Sequence, residues 1–96
     1  MTALSPEKPR VEVFSTRYCG WCLRAAELLV RHGISFVTFD VTGDREARAS
    51  LVHRAGGRRT VPVVFVDGSP VGGYEELAHL VASGKLDHLK TRAHAA

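Results

Sequence analysis

The chain has 96 residues, 45% hydrophobic and 24% charged; these are the proportions of one compact globular domain, and they exclude disordered, low-complexity and two-domain architectures. Thirteen Lys and Arg against ten Asp and Glu leave a net charge of +3, short of a nucleic-acid footprint, and the four Phe, two Tyr and one Trp do not interleave with the basic residues. The longest apolar run, residues 61–66, is broken by Pro62 and falls far below the roughly 20 residues that span a bilayer, while residues 1–10 carry no apolar secretory stretch, so no membrane is expected and the expected location is a reducing cytoplasm.

Residues 11–15 (VEVFS) alternate apolar and polar and predict a strand. Residues 21–32 place Cys22, Ala25, Ala26, Leu28 and Leu29 at helical period, with Arg31 and His32 at the basic end and Gly33 as a stop. A second strand is expected over 34–41 and a second helix over 44–55, where Ala47, Leu51, Val52 and Ala55 recur before Gly56-Gly57. Residues 63–66 and Val71 flank Asp67-Gly68, a tight-turn signal that predicts a hairpin. A third helix follows over 74–82 and a short fourth over 86–92, with 91–96 expected to fray. A βαβ half followed by a hairpin gives an α/β domain spanning 1–96, with residues 1–9 as an extension: a four-stranded mixed sheet flanked by helices.

Two cysteines three positions apart enclose too short a loop to stabilise a fold, so Cys19 and Cys22 read as chemical rather than structural. Cys19 sits where a strand hands over to a helix, and there unpaired N–H groups and the positive end of the helix dipole favour a thiolate. It is the candidate nucleophile. Cys22, one turn further on and more covered, is the candidate resolving thiol. Arg17 and Arg24 are the only charges beside them. The histidines, His32, His53, His79, His88 and His94, show no paired-ligand spacing, so a metal held by protein ligands alone is not indicated.

Cys19-Gly20-Trp21-Cys22, then Thr60-Val61-Pro62, then Gly72-Gly73-Tyr74-Glu75-Glu76-Leu77 occur in the order and spacing of a glutaredoxin. From Val11 to about Leu89 the chain resembles the short bacterial dithiol type. The resemblance implies a thioredoxin-like fold, glutathione as co-substrate, and reduction of disulfide-bonded and glutathionylated proteins by a monomer. It implies a cis Pro62 facing the cysteines, with Thr60 and the backbone of Val61 contacting glutathione. Tyr18 and Trp21 would line the groove, and Gly73, Tyr74 and Glu75 would hold the γ-glutamyl end. Arg58 and Arg59 are candidates for the glycyl carboxylate, with only one facing the site; Arg59 is taken as that contact.

The family's usual lysine is replaced by Thr16, leaving Arg17 as its substitute, and Gly20-Trp21 stands where Pro-Tyr is common. Some glutaredoxins with glycine in that place hold a two-iron, two-sulfur cluster between two subunits, which makes Cys19 a possible cluster ligand. A thioredoxin-like reductant served by a flavoprotein reductase is the remaining alternative. Residues 43–60 hold five arginines and two acids, concentrating the positive charge there.

Overall fold

The computed structural model describes residues 10–17 and 19–90. Strand β1 (Val11–Ser15) leads to helix α1 (Gly20–Arg31), β2 (Phe36–Asp40), α2 (Arg45–Arg54), the hairpin β3 (Val63–Val66) and β4 (Ser69–Gly72), and α3 (Tyr74–Ala82). The sheet order is β2-β1-β3-β4, with β1 parallel to β2 and antiparallel to β3. This is the thioredoxin-like arrangement: the parallel pair is bridged by α1, and the hairpin closes the other half.

Side-chain alternation divides the core between the two faces of the sheet. Val11 and Val13 of β1 and Val64 of β3 join Ala25, Leu28 and Leu29 of α1 and Leu77 and Val81 of α3 in the larger cluster. On the opposite face Val63 and Phe65 pack with Val41 and Leu51, and with Phe14 and Val61. Because β3 is covered on both faces it reads as the unbroken run Val63-Val64-Phe65-Val66. Each fully buried Leu or Phe of this kind contributes roughly 1.5–3 kcal/mol.

The expected turn is present: Asp67 and Gly68 both take positive φ, 53° and 84°, as a two-residue hairpin requires. Three boundaries differ from the sequence expectation. Helix α1 begins at Gly20 with Cys19 as its cap. Strand β2 is shorter than 34–41 at both ends, and Ile34 pairs outside the sheet, in an isolated bridge with Lys90. That bridge also stops the expected fourth helix, which is a single 3-10 turn over Asp87–Leu89. The N-terminal extension and the 91–96 tail lie outside the described residues.

Candidate active site

Cys19 is held by backbone on two sides. Its extended conformation (φ −115°, ψ 109°) caps α1, and Sγ accepts the Cys22 N–H at 3.2 Å. As a thiol it also donates to the Val61 carbonyl at 3.7 Å. The first turn of α1 contains no acidic residue, so nothing there opposes a negative charge at the positive end of the dipole. Cys19 is half-buried and open to attack; Cys22 is buried, with 6% exposure. Burial, reinforced by hydrogen bonding to Cys19, pushes the Cys22 thiol up from 9.0 to about 12, against weaker opposing effects of the Thr16 backbone and the Arg48 charge. The two thiols therefore differ as nucleophiles before any substrate arrives.

A groove of about 220 Å³ lies between the loop before β3 and the start of α3, lined by Trp21, Thr60, Val61, Pro62, Tyr74 and Glu75 together with Arg58 and Glu76; Cys19 adjoins it through the Val61 carbonyl and lines a neighbouring depression with Cys22. The Val61–Pro62 peptide is cis. Trp21 is 53% exposed, its ring 5.4 Å from that of Tyr74 and 5.1 Å from the Arg24 guanidinium. At the far end Gly73 caps α3, where the first N–H groups of a helix have no partner within it. Glu76 reaches back to accept the Gly73 N–H at 2.8 Å, and this bond holds its carboxyl below the usual range.

Arg58 lies across this end of the groove. Its Nη2 is 3.8 Å from Glu76 Oε1, and its Nε is buried without a hydrogen-bond partner among the described residues. A Cβ on Gly73 would collide with the Arg58 guanidinium and approach the Pro62 carbonyl to 3.3 Å. Glycine is what lets the arginine lie there.

The structure thus brings Cys19, Cys22, Trp21, Thr60, Val61, Pro62, Gly73, Tyr74 and Glu75 together. Arg59 is not with them. Arg59 lines a separate depression with Arg45 and Arg48; the arginine lining the groove is Arg58. Arg17 lines a second depression beside Cys19, but its guanidinium pairs with Asp40 at 3.3 Å and its N–H is bound by Thr42 at 2.8 Å. Tyr18 lies outside the described residues. Glu76 is a groove residue the sequence reading missed; an acid three positions after a helix cap was the available signal, weakened by glycine at the cap.

No three His, Cys, Asp or Glu side chains lie together as metal ligands among the described residues. With Cys22 buried, an iron–sulfur cluster would find only the Cys19 thiolate of this chain at the groove.

The Glutaredoxin family model matches residues 11–71. A probable glutaredoxin of Synechocystis is 38% identical over 80 residues, covering 83% of this chain and 91% of its own. Glutaredoxin 3 of Escherichia coli is 38% identical over 79 residues, 82% and 94% of the two chains. Among solved structures, a buckwheat glutaredoxin in complex with glutathione superimposes with a TM-score of 0.74 at 31% identity, over 84% of this chain and 76% of that one.

Proposed function

This chain belongs to the glutaredoxin family and is a thiol–disulfide oxidoreductase, and from that premise we propose that it reduces glutathione mixed disulfides and protein disulfides with glutathione as its electron donor. The observation that carries the reading is the pairing of a half-buried cap thiol, Cys19, with a buried partner, Cys22, where Cys19 touches Val61 of a groove that ends at the start of α3 and Arg58.

Cys19 thiolate attacks the glutathione sulfur of a mixed disulfide. A Cys19–glutathione bond forms, the target's sulfur leaves with the electron pair, and it takes up a proton. A second glutathione thiolate then attacks the adduct, forming oxidised glutathione and restoring Cys19. In the dithiol route Cys22 loses its proton and attacks Cys19 Sγ, expelling glutathione and closing an internal disulfide that two glutathiones reopen. Once Cys19 is in a disulfide its charge no longer holds the Cys22 proton, so the resolving thiol becomes easier to ionise when it is needed. The adduct's peptide would run along Val61 in strand-like fashion, with the γ-glutamyl carboxylate at the Tyr74 and Glu75 N–H groups. Arg58 lines the same groove, where a guanidinium can pair with a carboxylate of the tripeptide.

The test is glutathione-dependent turnover of a small mixed disulfide, coupled to NADPH oxidation through glutathione reductase. Cys19→Ser should abolish it, and Cys22→Ser should retain deglutathionylation while losing dithiol reduction of protein disulfides. Reduction only when a flavoprotein thioredoxin reductase is supplied would overturn the reading.

A further inference from the structure

Helix α1 carries two apolar faces. Cys22, Ala25, Leu28 and Leu29 are buried against the rest of the fold. A second stripe runs along the outside: Cys19, Leu23, Ala26 and Val30 recur at i, i+4, i+7 and i+11, the spacing of one helical face. The core does not use it, for Leu23 is 61% exposed and Val30 68%. The charged residues of the helix, Arg24, Glu27 and Arg31, fall on the neighbouring face. Apolar side chains left in water along one line, headed by the reactive sulfur, differ from hydrophobic residues scattered singly over a surface.

The stripe opens onto the chemistry. Cys19, Cys22, Leu23 and Ala26 line one depression of about 400 Å³ together with Thr38 of β2, so both thiols of the dithiol route border it. Among the described residues Arg17 is the only charged one lining it, and it pairs with Asp40 at 3.3 Å, which leaves the depression without a free charge. Beyond Thr38 lies a sheet edge. Strand β2 is outermost in the sheet, uncharged from Phe36 to Phe39, and among the described residues pairs with β1 alone along those positions. The opposite edge, β4, is guarded: Pro70 removes a donor, and the ladder to β3 shifts register between Val64 and Phe65. Nothing of that kind interrupts β2.

We propose that the Leu23–Ala26–Val30 stripe and the β2 edge dock the polypeptide of a protein whose disulfide is reduced by the dithiol route, as an extended segment with apolar side chains flanking its cysteine. In that route the Cys19 thiolate attacks one sulfur of the target disulfide. A Cys19–target bond forms, the target's own S–S bond breaks, and the leaving sulfur takes up a proton. Cys22, having lost its proton, then attacks Cys19 Sγ and expels the target cysteine, closing a Cys19–Cys22 disulfide. Between these steps the target is tethered at the head of the stripe. From Cys19 to Val30 the helix rises about 16 Å, which an extended chain covers in about five residues. Main-chain bonding to a sheet edge makes little demand on sequence, and side-chain contacts with the stripe supply the preference. The inference rests on the oxidoreductase reading of Cys19 and adds a partner class to it.

Two peptides, each closed by one internal disulfide, test it: one with Leu and Val beside each cysteine and one with Ser and Asn there, with a small non-peptide mixed disulfide of glutathione as control. The wild-type chain should show about tenfold higher kcat/KM on the apolar peptide, a ratio that added sodium chloride leaves in place because no ion pair holds the segment. L23Q/V30Q alters two exposed side chains without adding charge near Cys19, so it should lose the preference and keep turnover of the small disulfide within about twofold of wild type. L23M/V30I, apolar throughout, should retain the preference. In Cys22→Ser, with a single-cysteine form of the apolar peptide coupled to Cys19, the Leu23 and Val30 methyl resonances should shift and the β2 amides should gain protection from exchange. Equal rates on the two peptides, unmoved methyl resonances, or equal losses on all three substrates in a folded L23Q/V30Q would each overturn the proposal. A wild-type dimer that L23Q/V30Q dissociates would give the stripe to a second copy of the chain and overturn it as well. Absent turnover of the small disulfide, with the methyl shifts intact, would instead fault the glutathione reading and leave the docking surface standing.

Discussion

The asymmetry between the two thiols is the sharpest consequence of the site. With Cys22 raised to about 12, its thiolate fraction at pH 7 is on the order of 10⁻⁵, against about 10⁻² for an ordinary thiol titrating at 9.0. The difference of three pH units is roughly 4 kcal/mol between protonation states. Alkylation of the reduced protein with iodoacetamide across pH 6 to 10, followed by mass mapping, should therefore modify Cys19 alone until the medium is strongly alkaline. Burial is the larger cause and Cys19 the next. In Cys19→Ser, which keeps a capping oxygen and removes the sulfur's charge, Cys22 should titrate lower than in wild type and still above 9.0. Modification of Cys22 at neutral pH as fast as Cys19 would refute the assignment of roles. An ordinary titration of Cys22 in Cys19→Ser would show that its neighbour, not burial, governs it.

The same shift carries a stability consequence. The folded value is raised, so the stabilisation is complete below about pH 9 and is lost as pH rises towards 12: the unfolded chain releases the Cys22 proton first. Chemical denaturation between pH 8 and 10.5 should show wild type losing more stability than Cys22→Ser. At the acid end Glu76 works in the opposite sense: its carboxyl is depressed by the Gly73 N–H, so its contribution is present above the usual carboxylate range and lost as pH falls through the folded value. Glu76→Gln, which keeps an acceptor, should flatten the acid side of a melting-temperature profile. Gly73→Ala adopts the same backbone without strain (φ −104°) but drives a methyl into Arg58 and towards the Pro62 carbonyl. Because the Arg58 guanidinium is the far end of a flexible, partly exposed side chain that can swing aside, a small loss of stability is expected with a raised KM for glutathione; an unchanged KM would mean that the Arg58 position has no bearing on the groove.

Much of the fold was legible because its signals are local. The alternation of Val11 and Val13 with Glu12, the apolar spacing of Leu28 and Leu29, and the Asp67-Gly68 turn each constrain φ, ψ or burial over a few residues. The misplaced ends came from contacts distant in sequence. Nothing near Ile34 announces that it will bridge Lys90, yet that one pairing sets Ile34 outside the sheet and ends the fourth helix. The cysteines were legible for a similar reason: their chemistry depends on a strand-to-helix junction that the local pattern already contains.

The arginine pair was not legible, because 58 and 59 carry the same side chain on consecutive residues and only their directions differ. Those directions depend on the path of the chain into β3, which no pattern over neighbouring residues announces. Along that path Arg58 lines the groove and Arg59 the α2 depression. Residues 58–61 thus border both the Trp21–Tyr74 groove and the α2 depression. The Cys19 sulfur, touching Val61, lies where the two meet.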